Sequence, residues 1–302
     1  MSEENSKLKT LLKEELAAIL TPYGAEGEKW AKALKATARR SAVLVNASEL
    51  APEAKGTDNL SRLFGKPLTS RAFRWPTDRQ GQAMLFLGQI DCKQLPLLPD
   101  YPRDGILAIF KSLTRECLVK GKESQSAALK DRQSFYLHYF PEESRTDLRE
   151  RQDGKCLPPK PLSAAATFFL SLERCRSLAP SEDDKQLVAK LAAWTEKFNR
   201  LSLADVSGVV GAAYDSEELA EMKVIASFCA SGIGYSVSRK ADRHYSHLVE
   251  NANEYEVVLV LKEGAGGLDD GSTGDTVTNY IAMRRQDLIE QRFDRSWLFS
   301  VT

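Results

Sequence analysis

Phe73–Phe110 constrains the fold more than any other part of this chain. It reads FRWPTDRQGQAMLFLGQIDCKQLPLLPDYPRDGILAIF and holds two apolar runs, Met84–Ile90 and Ile106–Phe110. A nearly continuous apolar run of that length predicts a strand covered on both faces. The connection carries Pro96, Pro99 and Pro102, which resist both helix and ladder pairing. Two buried strands flanking a prolyl loop are therefore expected.

The same alternation of helical and strand periods organises the rest of the chain. Leu8, Leu11, Leu12, Leu16, Ile19 and Leu20 recur at helical spacing until Thr21-Pro22-Tyr23-Gly24 breaks the run. Glu26–Ala42 resumes it, with Trp30, Ala33, Leu34 and Ala38 on one face. Ala42–Val45 has strand composition, and Asn59–Phe64 reads as a single helical turn. Ser134–Phe140 and Ala164–Leu172 read as strands, with Glu142–Pro161 an exposed loop between them. Glu182–Leu201 is a helix with acids in its first turn, and a second helix follows Asp215. Glu254–Leu261 is strand-like, the Gly264–Asp275 segment a loop, Thr276–Met283 the last strand, and Asp287–Phe293 a short helix.

One internal echo stands out. Strand, long polar loop, glycine and strand occur at Met84–Phe110 and again at Glu256–Met283. The expected architecture is α+β, with mixed or antiparallel sheets built from two related strand-pair units. A helical arm over 1–41 precedes a domain over 42–302.

Composition narrows the function classes. The 42 basic and 42 acidic side chains cancel, which gives no electrostatic reason to expect nucleic acid or an anionic membrane as partner. Five cysteines, Cys92, Cys117, Cys156, Cys175 and Cys229, contain no C-x-x-C pair, so reduced thiols are expected in place of a disulfide scaffold or zinc site. MSEENSKLK has no apolar core of signal-peptide length, and no run approaches the roughly 20 residues that span a bilayer. A cytoplasmic protein, monomeric when free, is expected.

The stretch from Phe73 resembles the YwqG-like family of bacterial proteins, a domain of unknown function. The resemblance rests on Trp75-Pro76, Gly81, Phe86-Leu-Gly-Gln-Ile-Asp91 and Gly105-Ile-Leu-Ala-Ile-Phe110. Toward the C-terminus Gly274-Asp275, Asn279-Tyr-Ile-Ala-Met283, Asp287-Leu288 and Arg292-Phe293 agree as well. Departures fall at Gly65-Lys66-Pro67, where the family has a longer glycine turn, and at Val260, where it has a second glutamine. The resemblance implies an α+β fold and carries no established activity. Because relatives are encoded near polymorphic toxins, it implies a protein partner.

Candidate site residues fall into two sets. Gln89, Asp91 and Asp275 would flank one polar cleft if the two strand-pair units face each other, since two carboxylates are the minimum for acid–base work. Arg71, Arg74, Trp75, Tyr101 and Arg103 are of the types enriched at protein–protein hot spots. His244, His247 and Glu250 lack zincin spacing, and Gly232-x-Gly234 follows a helix instead of a strand, so neither a metal nor a cofactor is expected. No P-loop or G-x-S-x-G elbow occurs. The reading is a non-catalytic cytoplasmic interaction protein, an immunity protein that neutralises a bacterial toxin. The alternative is a small-molecule binder or enzyme using the polar cleft.

Overall fold

The computed structural model describes residues 13–47, 60–112, 134–153, 156–172, 175, 185–202, 207–211, 217–233, 235, 237–263 and 277–301. After helical residues 13–20 and a 3-10 turn at Thr21–Tyr23, α1 spans Gly24–Ala36 and β1 Arg39–Asn46. Short β2 (Arg62–Leu63) and β3 (Leu68–Thr69) precede β4 (Leu85–Asp91), β5 (Ile106–Lys111) and β6 (Phe135–Phe140). Then come β7 (Arg149–Glu150), β8 (Lys160–Phe169), α2 (Lys185–Ser202), β9 (Gly208–Val210) and α3 (Glu217–Ala230). The chain closes with α4 (Val237–Ala241), α5 (Ser246–Asn251), β10 (Tyr255–Glu263), β11 (Val277–Arg284), α6 (Arg285–Ile289) and β12 (Trp297–Val301).

Ten strands form one antiparallel sheet in the order β12-β11-β10-β9-β1-β8-β2-β4-β5-β6, so the fold is mixed α and β, dominated by that sheet. β3 and β7 make a separate two-stranded sheet. Every residue of β4 and of β5 is buried, as their unbroken apolarity requires. In β5 the alternation sorts two cores. Leu107 and Ile109 join the main core with α3 and β10–β12, while Ile106, Ala108 and Phe110 join a smaller one with Phe73, Met84, Phe86 and Phe140.

Each half of the order runs outward from the central β1–β8 pair through a short strand to three strands in sequence order, β9 to β10-β11-β12 on one side and β2 to β4-β5-β6 on the other. β4 carries an irregularity between Phe86 and Gly88 where it meets β5, and β10 carries one between Val257 and Leu259 where it meets β11. Each extra residue is satisfied alike: Phe64 N donates to Leu87 O and Gly211 N to Val258 O, both at 3.0 Å. Phe64 and Gly211 each follow a short strand with positive φ, +57° and +97°.

Where pairing decides, local pattern misleads. Helix α1 stops at Ala36, six residues short of the expected Ala42. Thr37 N donates to Ala33 O and Leu34 O, its Oγ1 donates to Leu34 O and accepts from Ser171 N, and Arg39 is already paired with Phe169. The helical turn expected at Asn59–Phe64 is β2, held between β4 and β8 (Asn59 lies outside the described residues). Glu142–Pro161 is not wholly a loop, since it supplies a 3-10 segment, β7 and the start of β8. β11 is not the last strand, because Trp297–Val301 pairs with it as β12.

The apolar stripe of α1 meets α2. Leu20, Trp30, Ala33 and Leu34 pack with Leu187, Leu191, Trp194 and Cys175 in a third core. No helix among the described residues is long and apolar enough to cross a membrane.

Candidate functional site

Gln89 and Asp91 sit on β4 at 0% and 1% exposure, and the fold uses both. Gln89 Oε1 accepts from Leu68 N at 3.0 Å and its Nε2 donates to Leu60 O at 2.7 Å. A buried amide left without partners would cost about 1–3 kcal/mol, so these bonds explain a glutamine in an apolar strand. Asp91 is gripped by Arg145, Nη2 to Oδ2 at 2.7 Å and Nη1 to Oδ1 at 3.2 Å. Its Oδ1 also accepts from Lys93 N at 3.2 Å. Glu142 pairs with both Arg145 and Lys93, which extends the network to the surface. Two residues expected to open into a polar cleft are thus bonded inward, and Asp275 lies outside the described residues. Physically, a strand buried on both faces has no side free to line a cleft.

The hot-spot set does not form one patch. Trp75 packs on the smaller core with its ring edge-on to Phe110, centroids 5.3 Å apart, while Tyr101 packs on the main core. The two therefore stand on opposite faces of the β4–β5 pair. Tyr101 ties its loop to the other half of the sheet, its hydroxyl donating to Val258 O. Nearby Asp100 meets Arg285 at 2.7 Å. Arg103 is exposed on that loop. Tyr101 is thus a structural tether, and burial pushes its phenol well above the ordinary value.

Arg71, Arg74 and Trp75 remain together on the connection from β3 to β4, the two arginines exposed and Trp75 half-buried. Two fixed points orient Trp75: its Nε1 donates to Met84 O at 2.9 Å, and Phe110 lies against its ring. The end of the connection is a tight turn built on Asp78. Oδ1 accepts from Gln80 N and Gln82 N at 3.0 and 2.9 Å, and Oδ2 from Ser112 Oγ at 3.0 Å. Burial alone would raise this carboxyl, but the bonds from Gln82, Ser112 and Gln80 outweigh it and hold it below the ordinary value. Gly81 closes the turn at φ +74°, with its N donating to Asp78 O.

The sequence reading missed Asp78, Arg145 and Arg149. An aspartate three positions before a glycine is a turn signal and was open to view at Asp78-Arg-Gln-Gly81. Nothing local marks Arg145, whose role depends on Asp91 of β4, far away in the sequence.

The remaining candidates stay apart. His244 and His247 are exposed on a 3-10 turn and on α5. No group of three or more His, Cys, Asp or Glu suited to a metal occurs among the described residues. Burial pushes the Cys92 thiol to about 12, with Asp91 and Asp104 adding to the shift, and the Cys175 thiol to about 11. Both are protonated and poorly nucleophilic at neutral pH. Cys117 lies outside the described residues.

A family model described as "Domain of unknown function (DUF1963)" matches residues 61–300. No curated protein matches the chain.

Proposed function

The chain belongs to the DUF1963 domain family of unknown function, and from that premise we propose that it is a non-catalytic, cytoplasmic protein-binding module. In this reading it is a YwqG-like immunity protein that neutralises a bacterial toxin and is monomeric when free. The observation that carries the reading is a contrast in direction. Gln89 and Asp91, the polar residues of the most apolar strand, are bonded inward, whereas Arg71 and Arg74 point outward beside an immobilised Trp75. Arginine and tryptophan are the residue types that dominate binding at protein interfaces.

We also read the sheet as two related strand-pair units joined at β1–β8, with a helical arm over 1–41 and the domain over 42–302. Support comes from the symmetric strand order, the matched irregularities in β4 and β10, and the matched bonds from Phe64 and Gly211.

The test is co-expression with the product of the adjacent gene. The expected result is a complex that survives size-exclusion chromatography, together with rescue of growth if that product is toxic. A full set of neighbouring products that neither bind nor lose toxicity would sink the reading.

A further inference from the structure

The small β3–β7 sheet and the connection leaving it concentrate positive charge on a protein that has none overall. Register places Thr69 opposite Arg149, and Arg71 and Arg74 follow Thr69 on the same connection. Lys66 precedes β3. All four cations are exposed, and among the described residues none of them pairs with a carboxylate. Arg149 instead donates through Nη1 to Leu148 O and Thr146 O at 2.6 and 2.8 Å.

The carboxylates of the same neighbourhood are already committed. Glu150 meets Arg62 at 3.1 Å, Asp153 pairs with Arg151, and Asp78 is consumed by its turn and Ser112. Among the described residues Asp147 is an exposed exception, as is Glu143 four residues earlier on the same 3-10 segment. Among the described residues of this neighbourhood, exposed cations outnumber uncommitted carboxylates, on a chain whose 42 basic and 42 acidic groups cancel.

The backbone under this charge is held in place. Arg151 N donates to Pro67 O at 3.1 Å and Arg151 Nη1 to Phe73 O at 2.6 Å, while Arg62 Nη2 reaches Lys66 O. A backbone fixed beneath the cations, beside a fixed aromatic, loses little freedom on binding, which favours association.

We propose that Lys66, Arg71, Arg74 and Arg149, with Trp75 at their margin, form the docking surface for an acidic patch on a partner protein. The inference rests on the protein-binding reading above and specifies its chemistry. A protein fits better than nucleic acid, because neutral net charge gives no long-range attraction to a polyanion, while complementary local patches suffice between two proteins.

The test uses the full-length chain, a fluorescein-labelled oligoglutamate peptide and a single-stranded oligothymidylate of matched charge. Expected is peptide binding that weakens with salt and falls about tenfold or more in R71E/R74E/R149E. The control K185E/K190E, which alters exposed lysines of α2, keeps wild-type binding. Trp75 is the single tryptophan that is not buried, so bound peptide should also shift the intrinsic fluorescence. No peptide binding, equal loss in the control, or tighter binding of oligothymidylate would each overturn the proposal. The two readings fail separately. A neighbouring gene product that the triple variant still binds removes this surface alone. Peptide bound here with no neighbouring product retrieved removes the toxin reading alone.

Discussion

Arg145 closes both terminal guanidinium nitrogens on the two carboxylate oxygens of Asp91, at 2.7 and 3.2 Å, from a 3-10 segment (Glu142–Asp147) beyond β6. Asp91 is 1% exposed, so removing its partner strands a buried charge. Arg145→Ala should cost about 3 kcal/mol. Arg145→Lys should recover part of that only, since an ammonium cannot match the paired geometry. Urea unfolding of the three proteins measures both values, and an unchanged midpoint for Arg145→Ala would contradict the assignment.

Acid should loosen the turn beneath Trp75. Asp78 is held below its ordinary value of 3.8, so its ionised form is favoured in the folded state. The stability it adds is complete above that value and is lost as pH falls through the lower folded value. Acrylamide quenching of Trp75 should therefore rise below about pH 4. Asp78→Asn should show raised quenching at neutral pH and a flatter acid response.

Gly105 admits no side chain. Its φ is +78°, and an added Cβ would lie 2.6 Å from Phe140 O and 2.7 Å from the Tyr139 ring. Gly105→Ala combines left-handed strain with a backbone clash and should lose about 2 kcal/mol or more. Gly81 also has positive φ, but nothing lies within 4 Å of its Cβ position. Gly81→Ala should lose only the strain, about 1 kcal/mol. Thermal unfolding of the pair separates the two contributions, and equal losses would refute this account.

Tyr101→Phe should cost about 1 kcal/mol, the usual net value of one hydrogen bond. Val258 O keeps the bond from Gly211 N, so the acceptor is not orphaned. Amide exchange should quicken in Asp100–Gly105 and leave β4 unchanged. Faster exchange throughout β4 would show that Tyr101 supports more than its own loop.

Much of the scaffold was legible because burial on both faces leaves a plain trace. Met84–Ile90 and Ile106–Phe110 needed no partner to be recognised as β4 and β5, while half-buried Ser134–Phe140 showed itself as β6 by its weak alternation and its aromatics. β2 and the end of α1 were misread because local composition favoured a helix, whereas pairing with β4 and β8, or with Phe169, decided the outcome. β9 is three residues long, too short for any period to register. Gln89 was visible as an anomaly, but its partners, Leu60 O and Leu68 N, belong to the preceding segment and come within reach only after folding. The division between Trp75 and Tyr101 was hidden for a related reason. Trp75 lies on the connection from β3 to β4 and Tyr101 on the one from β4 to β5, so no strand period assigns either to a face.

The symmetric strand order also carries a kinetic consequence. β4, β5 and β6 pair in sequence order, as do β10, β11 and β12, so each group can form soon after its residues are available. The joint cannot, because Asn46 must find Leu162 and Leu44 must find Ala164 across the whole first group. Closing so long a loop is slow, and until it closes the edge of β1 that takes β8 stays unpaired. Folding should therefore proceed through an intermediate whose outer strands are protected from exchange before its centre. Sequence changes that delay the β1–β8 joint should lower soluble yield more than they lower the stability of the finished protein.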